Sequence, residues 1–114
     1  MIQQVYVAGS YSADTRTRIL QNISAALVAA CMLTKRGYFP IVPHTSGSHH
    51  GSWDEAMDKC RRTIRGMSPT RDCLALLPGW EASKGACEER ALALALGLPV
   101  YDLADLSGDQ VIRP

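Results

Sequence analysis

The sequence predicts an α/β domain built on a mainly parallel sheet of four to five strands, with helices on both faces. Three observations carry that prediction. Short apolar runs alternate with longer segments of helical periodicity in the order β-α-β-α-β-α-β. The run Asp72 to Leu77, DCLALL, is apolar after its first residue, which suits a central parallel strand covered on both faces. Glycines stand where two helices should stop, at Gly37 and Gly97.

The elements follow in order. Val5 to Ala8, with a β-branched residue and an aromatic, is the first strand, ended by Gly9-Ser10. Ser12 or Asp14 offers an N-cap for a long helix over Thr15 to Arg36, where Ile19, Ile23, Ala26, Leu27, Ala30 and Leu33 recur at helical spacing. Tyr38 to Val42 is a second strand, and Pro40, which cannot donate to a ladder, favours an edge position or a strand start. Pro43 to Ser52 is a polar loop, and Trp53 to Arg65 is helical behind a Ser52 cap. A connector from Gly66 to Arg71 leads to the central run, which Pro78-Gly79 stops. Ser83 caps the next helix, which the alanines and leucines of 91–96 carry to Gly97, and Leu98 to Tyr101 is the last clear strand. The tail from Asp102 reads as a turn or a brief helix. With right-handed crossovers this order gives a flavodoxin-like (Rossmann-like) three-layer sandwich.

Length and composition set limits. A chain of 114 residues with 46% hydrophobic content fits one domain, and no repeat or linker divides it. So short a chain leaves a site shared between subunits open. Net charge is +1 with both signs mixed along the chain, so there is no basic stripe to hold a nucleic-acid polymer. Cys31, Cys60, Cys73 and Cys87 are separated by 29, 13 and 14 positions, which matches neither a metal knuckle nor a dense disulfide framework. Reduced, mainly buried thiols are expected. The N-terminus lacks the charged and long apolar regions of a secretory signal, and no stretch approaches the ~18 continuous apolar residues of a membrane helix. The expectation is a soluble, cytoplasmic protein that engages no membrane.

Topology locates the site before any residue is chosen. Ligands of open α/β sheets bind beyond the carboxyl ends of the strands, so the loops after Ala8, Val42 and Leu77 should meet at one crevice. Asp72 opens its strand at the other end, and its expected role is structural. In the first loop, Gly9 lets a ligand approach the backbone, and Ser10 and Ser12 place hydroxyls near a helix start; the same residues also read as a tight turn with a cap. His44, His49 and His50 lie in the second loop, where a solvated loop or lid is favoured over a metal or proton-shuttle cluster. Trp53 and Trp80 flank the crevice, to stack on a base or to fill the core rim. Asp54 and Asp58 share a helix face one turn apart, where Arg61 or Arg62 is in reach of them.

Glu88 and Glu89 are the sharpest case. Both lie about two turns into an otherwise apolar helix. Lys84, four residues before Glu88, is placed to hold that carboxylate in solvent, whereas Glu89 shares its stripe with Ala86, Ala93 and Leu96.

These residues also carry a resemblance. VYVAGSYS at the start, GYFPIVPH in the middle and LPGWEASKGACEE before ALALALGLPV resemble an uncharacterised domain family common in phages. That family is similar to the nucleoside 2-deoxyribosyltransferases and the 2'-deoxynucleoside 5'-phosphate N-hydrolases. The resemblance spans about residues 4 to 101, and its specific part is Ser83-x-Gly85-Ala86-x-x-Glu89. It implies that Glu89 matches the nucleophile, that Ser83 and Gly85 belong to the substrate-binding motif, and that Tyr6, Gly9 and Ser10 match the loop around sugar and base. A further aspartate of those enzymes falls at Asp58, with the spacing disturbed by the Gly66-to-Arg71 connector. The loop with Pro78, Gly79 and Trp80 departs from the enzymes, in a region that helps choose the base or phosphate.

The implied activity is cleavage or exchange of the N-glycosidic bond of a (deoxy)nucleoside or nucleotide. A carboxylate beside the anomeric carbon stabilises an oxocarbenium-like state or bonds to it, and a second acid assists departure of the base. No metal or cofactor is required. The small molecule is the expected partner, together with further copies of the chain, since the related enzymes complete their sites across subunits. Two alternatives stay open: a nonenzymatic nucleotide-binding or sensing domain on the same fold, and a phosphoribohydrolase of the lysine-decarboxylase-like type. Pro78-Gly79 echoes the opening of the latter's PGGxGTxxE motif, but Trp80 to Lys84 breaks the spacing.

Overall fold

A computed structural model describes residues 3–11, 13–43 and 52–107. Four parallel strands, β1 (Gln4–Ala8), β2 (Phe39–Ile41), β3 (Cys73–Leu76) and β4 (Val100–Asp102), form one sheet in the order β2-β1-β3-β4. They alternate with α1 (Arg16–Lys35), α2 (Trp53–Arg65), α3 (Lys84–Ala95) and the short α4 (Leu103–Ser107). The expected flavodoxin-like α/β fold is present. Pro40 lies on β2, an edge strand, where no ladder donor is lost to the sheet.

The strand pleat divides the core in two. Tyr6 and Ala8 of β1 and Leu74 and Leu76 of β3 face the α2–α3 layer, where they pack with Cys60, Ile64, Ala86 and Ala93. Val5, Val7, Cys73 and Ala75 face the other way, onto Ala26, Ala29 and Leu33 of α1 and Leu106 of α4. Val5 to Ala8 of β1 and the whole of β3 are therefore buried, because neither face of the two central strands meets water; Gln4, at the start of β1, is half-buried.

Helix ends follow from single residues, with one correction. The N-cap of α1 is Thr15, whose hydroxyl accepts from the Arg18 N–H at 3.1 Å, rather than Asp14; Ser12 lies outside the described residues. Ser52 and Glu55 form a reciprocal capping box at α2, and the Ser83 hydroxyl accepts from the Ala86 N–H at 3.1 Å to start α3. Gly37 and Gly97 end α1 and α3 with φ of 90° and 79°, a region that a side chain would strain.

The inward face of α1 is the expected one but for a single position: Ala26 and Leu33 are buried and Ile19, Ile23 and Ala30 half-buried, whereas Leu27 is exposed and Ala29 is buried. Leu20 and Val28 are exposed as well, so apolar residues also stand on the outer side of this helix. By length and composition alone α1 would suffice to cross a membrane, yet it packs as a layer of this fold. Leu96, expected on the inward stripe of α3, is also exposed, because the helix ends there. Of the thiols, Cys60 and Cys73 are buried, but Cys31 and Cys87 are exposed. Asp72 is buried at the amino end of β3 and accepts from the N–H groups of Ser68 at 2.7 Å and Gln4 at 3.1 Å, the structural role expected of it.

Candidate functional site

The chain leaves β1 for an edge on one side and comes back to pair β3 on the other, so the carboxyl ends of β1 and β3, Ala8 beside Leu76, form the switch point of the sheet. A crevice of about 270 Å³ opens there. Its walls are the loop from Gly9 to Tyr11, the first turns of α2 and the start of α3, and Glu89 lies within it. Gly9 is needed for a packing reason: a Cβ at this position would stand 2.6 Å from Leu77 Cδ1 and 2.8 Å from Leu77 Cβ. Gly85 is under no such constraint: a Cβ there would lie 3.4 Å from Met57 Sδ, an ordinary contact with the end of a flexible side chain.

Glu89 is 6% exposed, one of two charged residues buried among the described residues. It sits on the α3 stripe between Ala86 and Ala93, against the sheet. The hydroxyl of Tyr6, in the middle of β1, donates to Glu89 Oε2. The Cys60 thiol, one turn from Met57 on α2, lines the same crevice as Glu89. Burial pushes the Glu89 carboxyl up to about 7, against the opposing pull of the Tyr6 hydroxyl and the nearby Cys60 thiol; the charge of Glu88 adds to the rise. Burial likewise raises the Cys60 thiol to about 11 and drives the Tyr6 phenol well above its ordinary range, so both stay protonated.

The expected site residues divide into three groups. Gly9, Ser10, Ser83, Gly85 and Glu89 come together on the crevice. Tyr6 lies beneath it, fully buried, with its hydroxyl on Glu89. Asp58 and Trp80 are not among the crevice walls. Asp58 is exposed and pairs with Arg61 at 2.8 Å, the surface arrangement its spacing allowed. Trp80 takes the guanidinium of Arg90 over its ring at 5.2 Å. Trp53 is the indole on the crevice, and Lys84 stands 4.6 Å from its ring centroid.

That last contact corrects the pairing expected for Glu88. Its partner is Arg61 of α2 at 2.6 Å, while Lys84 turns to Trp53. The Arg61 guanidinium thereby clips α2 to α3 through Glu88, while Asp58, on α2 itself, takes its other nitrogen. Cys60 and Met57 were missed as site residues. The signal was present in the 4-3-4 spacing of Trp53, Met57, Cys60 and Ile64, which turns that face of α2 inward. His44, His49 and His50 lie outside the described residues. Among the described residues no group of three or more His, Cys, Asp or Glu is placed to hold a metal ion.

Comparison with known families gives a match over residues 3–102 to the family described as "Domain of unknown function (DUF4406)". The curated proteins give no match.

Proposed function

This chain belongs to the DUF4406 family, and we propose that it cleaves or exchanges the N-glycosidic bond of a (deoxy)nucleoside or nucleotide, with Glu89 as the nucleophile. One observation carries the reading: a carboxylate buried at the switch point of the sheet, lining a crevice and held by the Tyr6 hydroxyl from β1. A structural carboxylate in an apolar stripe is better replaced by a Leu or Ala, so keeping an acid there points to chemistry.

In the proposed reaction a Glu89 oxygen bonds to the anomeric carbon as the C–N bond breaks. The base leaves with the electron pair and takes a proton. Water or a second base then attacks the same carbon and displaces the carboxylate, which gives hydrolysis or transfer. The Tyr6 donor favours the ionised carboxylate that the first step needs. Among the described residues no second carboxylate lines the crevice, so Asp58 is not assigned as the acid, and the proton comes from solvent. The indole of Trp53 offers a stacking surface for a base, and Ser10 and Lys84 offer polar contacts for the rest of the ligand.

The test is incubation with a panel of deoxynucleosides, ribonucleosides and their 5'-monophosphates, with free base measured by chromatography. Release from a deoxy substrate supports the proposal. Binding without release from any member sinks it in favour of a nucleotide-binding domain, and a strong preference for ribose 5'-monophosphates favours phosphoribohydrolase chemistry. Self-association is part of the same reading, with the exposed Leu20, Leu27 and Val28 of α1 as its face, and sedimentation of wild type against Val28→Glu checks it.

A further inference from the structure

Asn22 is the polar member of an apolar stripe. On α1 the positions 22, 26, 29 and 33 follow one another at helical steps, and Ala26, Ala29 and Leu33 are buried against β1 and β3. Asn22, half-buried at the head of that stripe, donates from its side-chain amide to the Tyr11 carbonyl at 3.0 Å. Tyr11 lies in the turn between β1 and α1, and with Gly9 and Ser10 it forms the first wall of the crevice. We infer that Asn22 is a positioning residue for this wall: by holding the Tyr11 carbonyl to α1, it fixes where Ser10 and Tyr11 stand at the crevice.

Packing alone asks for a different residue. An amide on the side of a helix that meets the sheet costs free energy unless it is hydrogen-bonded, and asparagine is a poorer helix former than the Ala or Leu found further along the stripe. One hydrogen bond offsets both costs, and it leaves the helix to reach a loop residue eleven positions earlier in the chain. The bond is therefore a tie between a packed element and the loop, not a contact within the helix. It acts at one end of the wall. At the other end Gly9 is pressed against Leu77, so Ser10 stands between two fixed points. Asn22 itself does not line the crevice, so it reaches a ligand only through the placement of Ser10 and Tyr11.

The wall serves a ligand only if the crevice does, so the inference rests on the proposed reaction, and the test keeps the two apart. Two variants are compared with wild type: Asn22→Leu, which completes the apolar stripe, and Asn22→Asp, which keeps the shape and lacks the N–H donor. Base release from the deoxynucleosides and their 5'-monophosphates gives KM and kcat, urea unfolding gives stability, and amide hydrogen exchange reports on the Gly9-to-Tyr11 segment. In Asn22→Leu the urea midpoint is expected to stay or rise, KM to increase roughly tenfold, the scale of one hydrogen bond, and kcat to change by less than about twofold. Asn22→Asp should raise KM at least as much. Exchange in the segment should quicken by about tenfold in both, with the rest of the molecule unchanged. An unmoved KM in both variants, or a fall in stability with kcat lost alongside KM, overturns the inference. If wild type releases no base from any of these compounds, the proposed reaction falls and exchange decides alone: quickening confined to the segment supports the hold on the wall, and unchanged exchange overturns it.

Discussion

The hydroxyl of Tyr6 donates to the carboxylate of Glu89 across 83 positions of sequence, from the middle of the central strand to the inward face of α3. Tyr6 is fully buried, so this bond forms inside the core. Tyr6→Phe keeps the ring and removes the donor, which leaves the carboxylate poorly satisfied. The expected loss is about 1–3 kcal/mol in urea unfolding at pH 8. The same variant should need a higher pH to reach its maximal rate of base release.

Glu89 itself sets the sign of the pH dependence of stability. Its folded pKa of about 7 lies above the ordinary 4.5, so the folded chain keeps a proton that the unfolded chain has lost between those values. Stability should therefore fall as pH rises from about 4.5 to 7, by on the order of 3 kcal/mol, and level off above. Glu89→Gln, which cannot ionise, should remove this slope. Urea midpoints at pH 5 and pH 8 for the two proteins check it.

The rate should run the other way. A nucleophile reacts as the anion, so base release rises through pH 7 and reaches a plateau near pH 8. Glu89→Ala should lower it by roughly a thousandfold or more at every pH. A profile falling through pH 7 would instead mark Glu89 as the acid.

Asp58 and Glu88 supply the contrast. Both hold Arg61 at the surface, with their side chains 64% and 40% exposed. Asp58→Ala and Glu88→Ala are each expected to change stability by less than about 1 kcal/mol and base release by less than about threefold. A large loss of activity in Asp58→Ala would return that residue to the reaction.

Gly9→Ala tests the packing of the first loop. The new methyl would meet Leu77 Cβ at 2.8 Å, a contact that trimming Leu77 cannot relieve, since every side chain but glycine has that atom. The expected destabilisation is about 1–3 kcal/mol, with weaker ligand binding as the loop shifts.

Much of this was legible in the chain. The apolar Cys73-to-Leu76 run announced a strand buried on both faces, and the glycines at 37 and 97 marked two helix ends by the left-handed conformation they adopt. Glu89 was separable from Glu88 because helical spacing put only one of them on the Ala86–Ala93 stripe. What stayed hidden depended on long-range placement. That Tyr6 donates to Glu89 follows from how α3 packs on β1. The partner of Glu88 was misread because local spacing favoured Lys84, while tertiary packing brought Arg61 closer and gave Lys84 an aromatic face. On α1 the helical spacing marked the inward side correctly except at Leu27, which is exposed.

The split of the crevice between floor and rim has a consequence for change over time. The floor, made by Tyr6, Cys60 and Glu89, is continuous with the core, so substitutions there damage folding and chemistry together. Trp53 and Lys84 on the rim are exposed side chains at the starts of two helices, where exchanges leave the core intact. Descendants of one such chain can thus acquire a different crevice rim by altering Trp53 and Lys84 alone, with the buried Glu89 inherited unaltered.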